Sequence, residues 1–528
     1  MKKFLLRRNM NIGTGMAEND GEFLKKCFLE TPEYETLLDF DDKKMILLGR
    51  TGSGKTALLK ILLDNKDLVP IEIRPATFVM QYISNIPFIR IMKNSGLNLS
   101  VFYKFLWMHE IISNIIKQYF SYTKKKDFYT ALSEILGTDG RMKELKNYLN
   151  QNDGIFYKEE SIQTITSGLE KKIGAELGFT DIAFIADNLT ESQKYEIQSK
   201  ASQRLNTDQI KQLKNIITIF KEYFGKNKEK KIIVCVDDLD TNWMDEQSKY
   251  DLLSALIDAI KQFIEIPNMK IIVAMRADLL TKTISTIHRQ GEKDMAFTLK
   301  LNWTNSMLKE LINKRLNYLF EYQYERKTKI SFDDLFDCEI AGEKGYDYIL
   351  QRTFMRPRDA IKFINLCIIQ ADGSEYIVPN HVLNAETIYR KEMLDSLKDE
   401  WINLYPNVDV YIKAVRDVMG NRFSYKEILN KFEEISNCLF SVNLSGDEDK
   451  ILQAFIDAKG NSFAEQEAVK ALLNVLYTIG VLGITSRTMD IVYSSSNKSE
   501  LDMFDFDDNI FHLHPLFKKL EHGQVSHF

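Results

Sequence analysis

Cysteine is scarce in this chain and follows no pattern. Cys27, Cys235, Cys338, Cys367 and Cys438 are scattered along 528 residues, odd in number, and form no CxxC pair. A disulfide framework or a zinc site needs closer, matched spacing, so both are excluded and a reducing cytoplasm is expected. Long apolar runs are also missing. The longest, around Ala471–Ile484, is broken by Asn474 and falls short of the ~18–20 residues that span a bilayer. The opening MKKFLLRRN has a basic start, but its apolar run of three residues is well under the ~7–15 of a secretory signal. A soluble cytoplasmic chain without membrane association is therefore expected. Nor does one sign of charge dominate. Basic and acidic residues number 70 and 75, a net charge of −5, so no global positive field draws the chain to nucleic acid. Hydrophobic content of 44% beside 27% charge excludes a disordered chain and suffices for sizeable cores. No nuclease, protease or glycosidase constellation is present, which leaves any effector chemistry to a partner.

What is there begins with organisation. At roughly 150 residues per domain the length predicts two to four domains. Residues 1–43 form a polar lead-in with one helical stretch, EFLKKCFLE, behind Asp20 as its cap. KMILL at 44–48, a glycine-rich turn and TALLKILLD read as strand, loop and helix. A second strand is predicted at VPIEIR, 69–74. Helical periodicity then dominates to about residue 230 as a large helical insertion, its strongest members VFYKFLWMHEIISNIIKQYF and TDQIKQLKNIITIFKEYF. In the first of these, the spacing of Phe102, Phe105 and Trp107 is that of a core or oligomer face. KIIVCV at 231–236 and KIIVAM at 270–275 are nearly continuous β-branched runs, as parallel strands covered on both faces require, and KYDLLSALIDAIKQFI between them is the crossover helix. A fifth strand is placed at FTLKL, 297–301. The fold class is α/β: a parallel-sheet core over 44–305 with the helical insertion at about 75–230, a helical lid over 306–390 without strands, and a winged-helix-like domain over 391–528. In that last region helices precede three short strands, GITS, MDIVYSS and NIFHLH.

The sharpest motif is Gly49-Arg50-Thr51-Gly52-Ser53-Gly54-Lys55-Thr56, which matches GxxxxGK[ST] between a strand and a helix. Glycines let successive backbone N–H groups turn inward around a phosphate, and the helix that follows adds the positive end of its dipole. Lys55 is placed to bridge the β- and γ-phosphates and the Thr56 hydroxyl to ligate Mg2+. A carboxylate is needed at the end of a neighbouring strand, and IIVCVDDLD supplies Asp237 for the metal and Asp238 to orient or deprotonate the attacking water. Asp240 is equally well read as a turn cap. Arg276, closing KIIVAM, either senses the γ-phosphate or pairs with an aspartate. In MRPRDAIKF, Arg356 and Arg358 flank Pro357 at a helix start, where one of them can close onto the phosphates. Arg289 and Lys293 read as a solvated loop or as an arginine finger across a subunit boundary. A guanine-specificity element is lacking, which favours ATP.

These residues resemble the additional-strand P-loop ATPases of the KAP and STAND kind. The likeness rests on GRTGSGKT, IIVCVDDLD, IIVAMRADL, the step from Leu301 through Asn302 to Trp303, and RPRDAIKF. A short AEND segment at Ala17–Asp20 and an HP-F signature at His514, Pro515 and Phe517 are similar to stand-alone bacterial members. The resemblance implies ATP and Mg2+ as cofactors, ATP-driven switching, a homo-oligomer, a co-encoded effector protein as partner and a setting in anti-phage defence. The rival readings are a nucleotide-gated scaffold with little turnover and a DNA-loading or remodelling ATPase. Residues 391–528 carry 14 Lys and Arg against 22 Asp and Glu. Phosphate contacts need basic residues, so protein contact is favoured over nucleic acid there. His512, His514, His522 and His527 lack the companions of a metal site.

Overall fold

The computed structural model describes residues 5–74, 99–123, 211–226, 231–239, 246–286, 291–324, 329–336, 339–402, 404–440, 449–485, 491–494 and 509–518, with isolated positions between them. By internal packing the chain falls into two units. One comprises Glu30–Gly49 and Lys55–Lys300; the other comprises Met1–Leu29, Arg50–Gly54 and Leu301–Phe528.

In the first of these, strands β1 (Ile46–Leu48), β2 (Leu68–Ile73), β3 (Lys231–Val236), β4 (Met269–Met275) and β5 (Thr298–Lys300) form one parallel sheet in the order β2-β3-β4-β1-β5. Every residue of β4 and all but the first of β3 are buried, which is why their sequences are continuous rather than alternating. Pro70 sits in β2 because β2 is an edge strand and can forgo a ladder donor. The helices are α1 (Lys55–Leu63), α2 (Ser100–Thr123), α3 (Lys211–Lys226), α4 (Glu246–Ile260) and α5 (Ala277–Thr286). α2 buries Phe102, Phe105 and Trp107, and the Trp107 indole N–H donates to the Leu252 carbonyl of α4 at 2.9 Å. Each such ring contributes about 1.5–3 kcal/mol by burial, so this aromatic stripe is core. Residues 75–98 and most of 124–210 of the expected insertion lie outside the described residues. Since the strands all run one way, Gly49, Arg74, Asp237 and Arg276 follow the same carboxyl edge, where ligands of parallel sheets bind.

The other unit is built around α6 (Asn305–Tyr324), α7 (Pro357–Gln370), α8 (Pro379–Trp401) and α9 (Ser462–Thr478). Its amino-terminal segment is part of this core: Leu6, Met10 and Ile12 are buried, and Asn365 of α7 bonds both Ile12 N–H and Gly13 O. Asp20 departs from expectation. It precedes the helix Gly21–Cys27 without a side-chain cap bond and instead pairs with buried Arg315 while accepting from Thr14 N–H. A buried guanidinium without a counter-charge is far more costly than a lost cap of ~1 kcal/mol, so the ion pair wins. Strands are also not absent between 306 and 390. Glu339–Ile340 pairs with Glu343–Lys344 across Ala341 and Gly342, both at positive φ, as a tight hairpin turn demands. The strand-like segments near the carboxyl end form β7 (Leu482–Thr485), β8 (Ile491–Tyr493) and β9 (Ile510–Leu513), joined by β6 (Arg422–Ser424) in an antiparallel sheet ordered β8-β7-β9-β6. β6 lies between the expected helical segments, where no strand is predicted, and Ser424 then opens the next helix in a capping box with Glu427.

Candidate functional site

The motif loop after β1 is shaped by its glycines. Gly52 and Gly54 adopt φ of +78° and +98°, a region where a Cβ is strained. At Gly52 a Cβ would also meet the Arg358 side chain at 3.1 Å. Four successive loop residues are held by residues of their own unit. The Arg50 Nη2 donates to Ile479 O at 2.7 Å, and Arg356 Nη1 donates to Thr51 O at 2.8 Å. Gly52 O accepts from Arg358 N–H at 3.4 Å, and Ser53 O from the Trp303 indole N–H at 2.7 Å. In a trans peptide the C=O and the next N–H point opposite ways. The Thr51 and Ser53 carbonyls, drawn toward Arg356 and Trp303, therefore turn the Gly52 and Gly54 N–H groups to the other side. Thr51 Oγ1, Ser53 Oγ and Arg358 Nε are buried and have no hydrogen-bond partner, a cluster of unmet polar groups that suits a polar ligand.

In the other unit, Lys55 opens α1 and donates through Nζ to Gly49 O at 3.0 Å. The Thr56 hydroxyl hydrogen-bonds the Asp237 carboxylate, which also accepts Asp238 N–H and feels the Lys55 charge. Burial nevertheless raises the Asp237 carboxyl above its ordinary range, only partly offset by Thr56. Asp238 has φ of +60°, an uncommon backbone for a residue other than glycine, and such strain gathers at functional positions. Lys55, Thr56, Asp237 and Asp238 are thus brought together as the motif spacing predicts.

The arginines are distributed differently. Arg276 forms a two-pronged pair with Asp278, Nε to Oδ1 at 3.0 Å and Nη2 to Oδ2 at 2.9 Å. Of its two anticipated roles the structure shows pairing, with the aspartate in the first turn of its own helix. Arg356 is buried and charge-paired with Asp359 and Glu400 while its Nη1 donates to Thr51 O, contacts that hold the loop. Pro357 stands at the first turn of α7 as expected. Asp240 and Arg289 lie outside the described residues, and Lys293 is exposed.

Two further positions, one in each unit, are not singled out by sequence reading. Arg74, just past β2, pairs with Glu72 and lies within electrostatic reach of Asp238 and Asp237; its placement at a strand end beside β3 was the available signal. The sequence marks Trp303 only as a step into a helix, and no local pattern reveals that its indole holds Ser53.

Comparison with known proteins gives partial matches. Residues 306–398 match the model of the FunZ-associated C-terminal helical domain. The chain is 22% identical over 486 residues to a putative transposon gamma-delta 80.3 kDa protein of Escherichia coli (strain K12), covering 90% of this chain and 62% of that relative. It thus spans less than two thirds of that relative's length. It is also 25% identical over 142 residues to allergen Alt a 2 of Alternaria alternata, covering 26% of this chain and 74% of the allergen.

Proposed function

We propose that this chain is a magnesium-dependent P-loop ATPase of the KAP or STAND kind, working as an oligomeric switch that controls a partner protein. The observation that carries the reading is the motif loop itself. Its glycines hold positive φ, its carbonyls are tied back, and Lys55 and Thr56, which follow it directly in the chain, meet Asp237. The residues fit the cofactors: Thr56 and Asp237 would hold Mg2+, and the loop N–H groups with Lys55 would hold the phosphates of ATP. Bound magnesium supplies neutralising charge at the phosphates. The chain's own part is positional and electrostatic. Lys55 exchanges the Gly49 carbonyl for phosphate oxygen, and Asp238, its backbone turned to φ of +60°, receives the proton of the attacking water. Arg358 offers an unpartnered buried Nε from its place on Gly52, which suits developing negative charge. The antiparallel sheet β6–β9 with its helices is compatible with a winged-helix-like domain.

Size-exclusion with light scattering, coupled to phosphate release, tests this in wild type, Lys55→Ala and Asp238→Asn. Turnover and ATP-dependent assembly in wild type, both lost in Lys55→Ala, are expected. Assembly that survives Asp238→Asn with undiminished function would favour a scaffold instead. Absence of nucleotide binding by wild type would end the ATPase reading. A second reading, a DNA-associated ATPase, draws support from the transposon-associated name of the Escherichia coli relative. The anti-phage setting rests on family resemblance and is tested by phage plating with Lys55→Ala.

A further inference from the structure

The end of α9 is closed by a Schellman arrangement: Val481 N–H donates to Leu476 O at 2.9 Å and Gly480 N–H to Tyr477 O at 2.8 Å, with Gly480 at φ of +85°. These bonds satisfy earlier carbonyls and leave that of Ile479, the helix C-cap, for another donor. Arg50 of the glycine-rich loop provides it, Nη2 to Ile479 O at 2.7 Å. A guanidinium at this end also meets the negative pole of the helix dipole. The same Arg50 guanidinium lies 5.4 Å from the centre of the Phe354 ring, and the Arg356 guanidinium lies 4.9 Å from that ring. Phe354 therefore packs against the side chains of two arginines, one from the loop and one gripping it. Phe354 in turn lies 5.0 Å from the ring of His514, whose backbone N–H donates to Val481 O at 2.8 Å. The contact is close enough to exclude a methyl group, since a Cβ on Gly480 would stand 2.7 Å from Arg50 Nη1.

We infer that Arg50 is a positioning residue that clasps the glycine-rich loop to the end of α9, so that the C-terminal sheet and the loop stabilise each other. This rests on the nucleotide reading of the loop. Coupling between sites is reciprocal: if the clasp holds the loop in its phosphate-receiving form, nucleotide must also tighten the clasp. Arg50 then carries the loop's occupancy to α9, β7 and the His514 segment, and carries the state of a partner on that region back to the loop.

Hydrogen exchange of the full chain tests the clasp, read on peptides covering 476–484 and 510–517, with and without Mg-ATP. Without nucleotide, Arg50→Ala is expected to raise exchange there about tenfold; unchanged exchange would overturn the inference. With Mg-ATP, wild type is expected to gain protection in these peptides. Arg50→Ala is expected to bind nucleotide about tenfold more weakly and to lose that response. Nucleotide binding without any change in these peptides would overturn the clasp and leave the ATPase reading standing. Phe354→Leu, which keeps an apolar side chain, should reproduce part of the effect, and an Arg50→Ala phenotype wholly absent from Phe354→Leu would overturn the role given to the ring. No nucleotide binding by wild type would overturn the nucleotide arm together with the ATPase reading, while the nucleotide-free comparison still judges the clasp by itself.

Discussion

Arg356, the N-cap of α7, and Arg358 in its first turn have opposite characters. Arg356 is buried between Asp359 and Glu400, whose side chains are only 3% and 8% exposed. Removing it strands two acids in a dry setting, so Arg356→Ala should lower stability by roughly 3–5 kcal/mol, read by urea unfolding. Arg358 makes no side-chain ion pair among the described residues, and its buried Nε has no partner. Arg358→Ala should therefore change stability by less than about 1 kcal/mol while reducing turnover by about 10²–10³. Equal loss of stability in both variants would contradict this division. His514 gives a second test. Burial holds its imidazole neutral, down to about 3, whereas the unfolded chain takes up that proton near pH 6.5. The unfolded state thus binds more protons between those values. Stability from this group is complete above pH 6.5 and declines as pH falls through the window, by about 1.4 kcal/mol per pH unit at most. His514→Gln should flatten the slope of unfolding free energy between pH 6 and 5 by up to that amount.

At the scale of elements, the loop is held by side chains from far along the chain, and Trp303 isolates that effect. Trp303→Phe keeps an aromatic ring but gives up the indole donor to Ser53 O, a net loss of about 1 kcal/mol. Nucleotide affinity should weaken several-fold while turnover at saturation is little changed, checked by titration with a fluorescent nucleotide and by kcat. A drop confined to kcat would remove Trp303 from the positioning role. The contrast with legible features is physical. β3 and β4 could be read from KIIVCV and KIIVAM because strands covered on both faces need unbroken β-branched runs, and the GxxxxGK[ST] spacing survives in the φ values of Gly52 and Gly54. Lys55, Thr56 and Asp237 were legible for the same local reason. β6 was hidden because three residues, Arg422–Ser424, carry no period. Asp20 stands at the helix N-cap without a side-chain cap bond, and its ion pair is not legible because the partner, Arg315, is 295 positions away. The contacts of Arg356 are not legible because nothing beside it in sequence announces Glu400 or Thr51. Periodicity reports a residue's own neighbourhood, whereas these contacts are set by packing.

For the whole molecule the remaining question is what the C-terminal region meets. Residues 391–528 hold 14 basic and 22 acidic residues, while the chain as a whole is nearly balanced at 70 and 75. Each phosphate contact to a duplex draws on a Lys or Arg and releases a counterion. An acidic surface has few such residues to offer and repels the duplex before contact. The exposed apolar side chains of this region, Ile456 and Phe463 among them, favour a protein partner instead. We therefore expect no shift of a duplex in a gel at about 50 mM salt, where electrostatic binding is strongest, with ATP or without it. A shift lost as salt rises toward about 200 mM would show that basic residues are gathered on one face despite the net charge, and would move the assignment to the DNA-associated ATPase. Its slope against salt would then count the phosphates contacted, and Arg422, on the edge strand of the C-terminal sheet, and Lys426, in the helix that follows it, would be the first residues to replace.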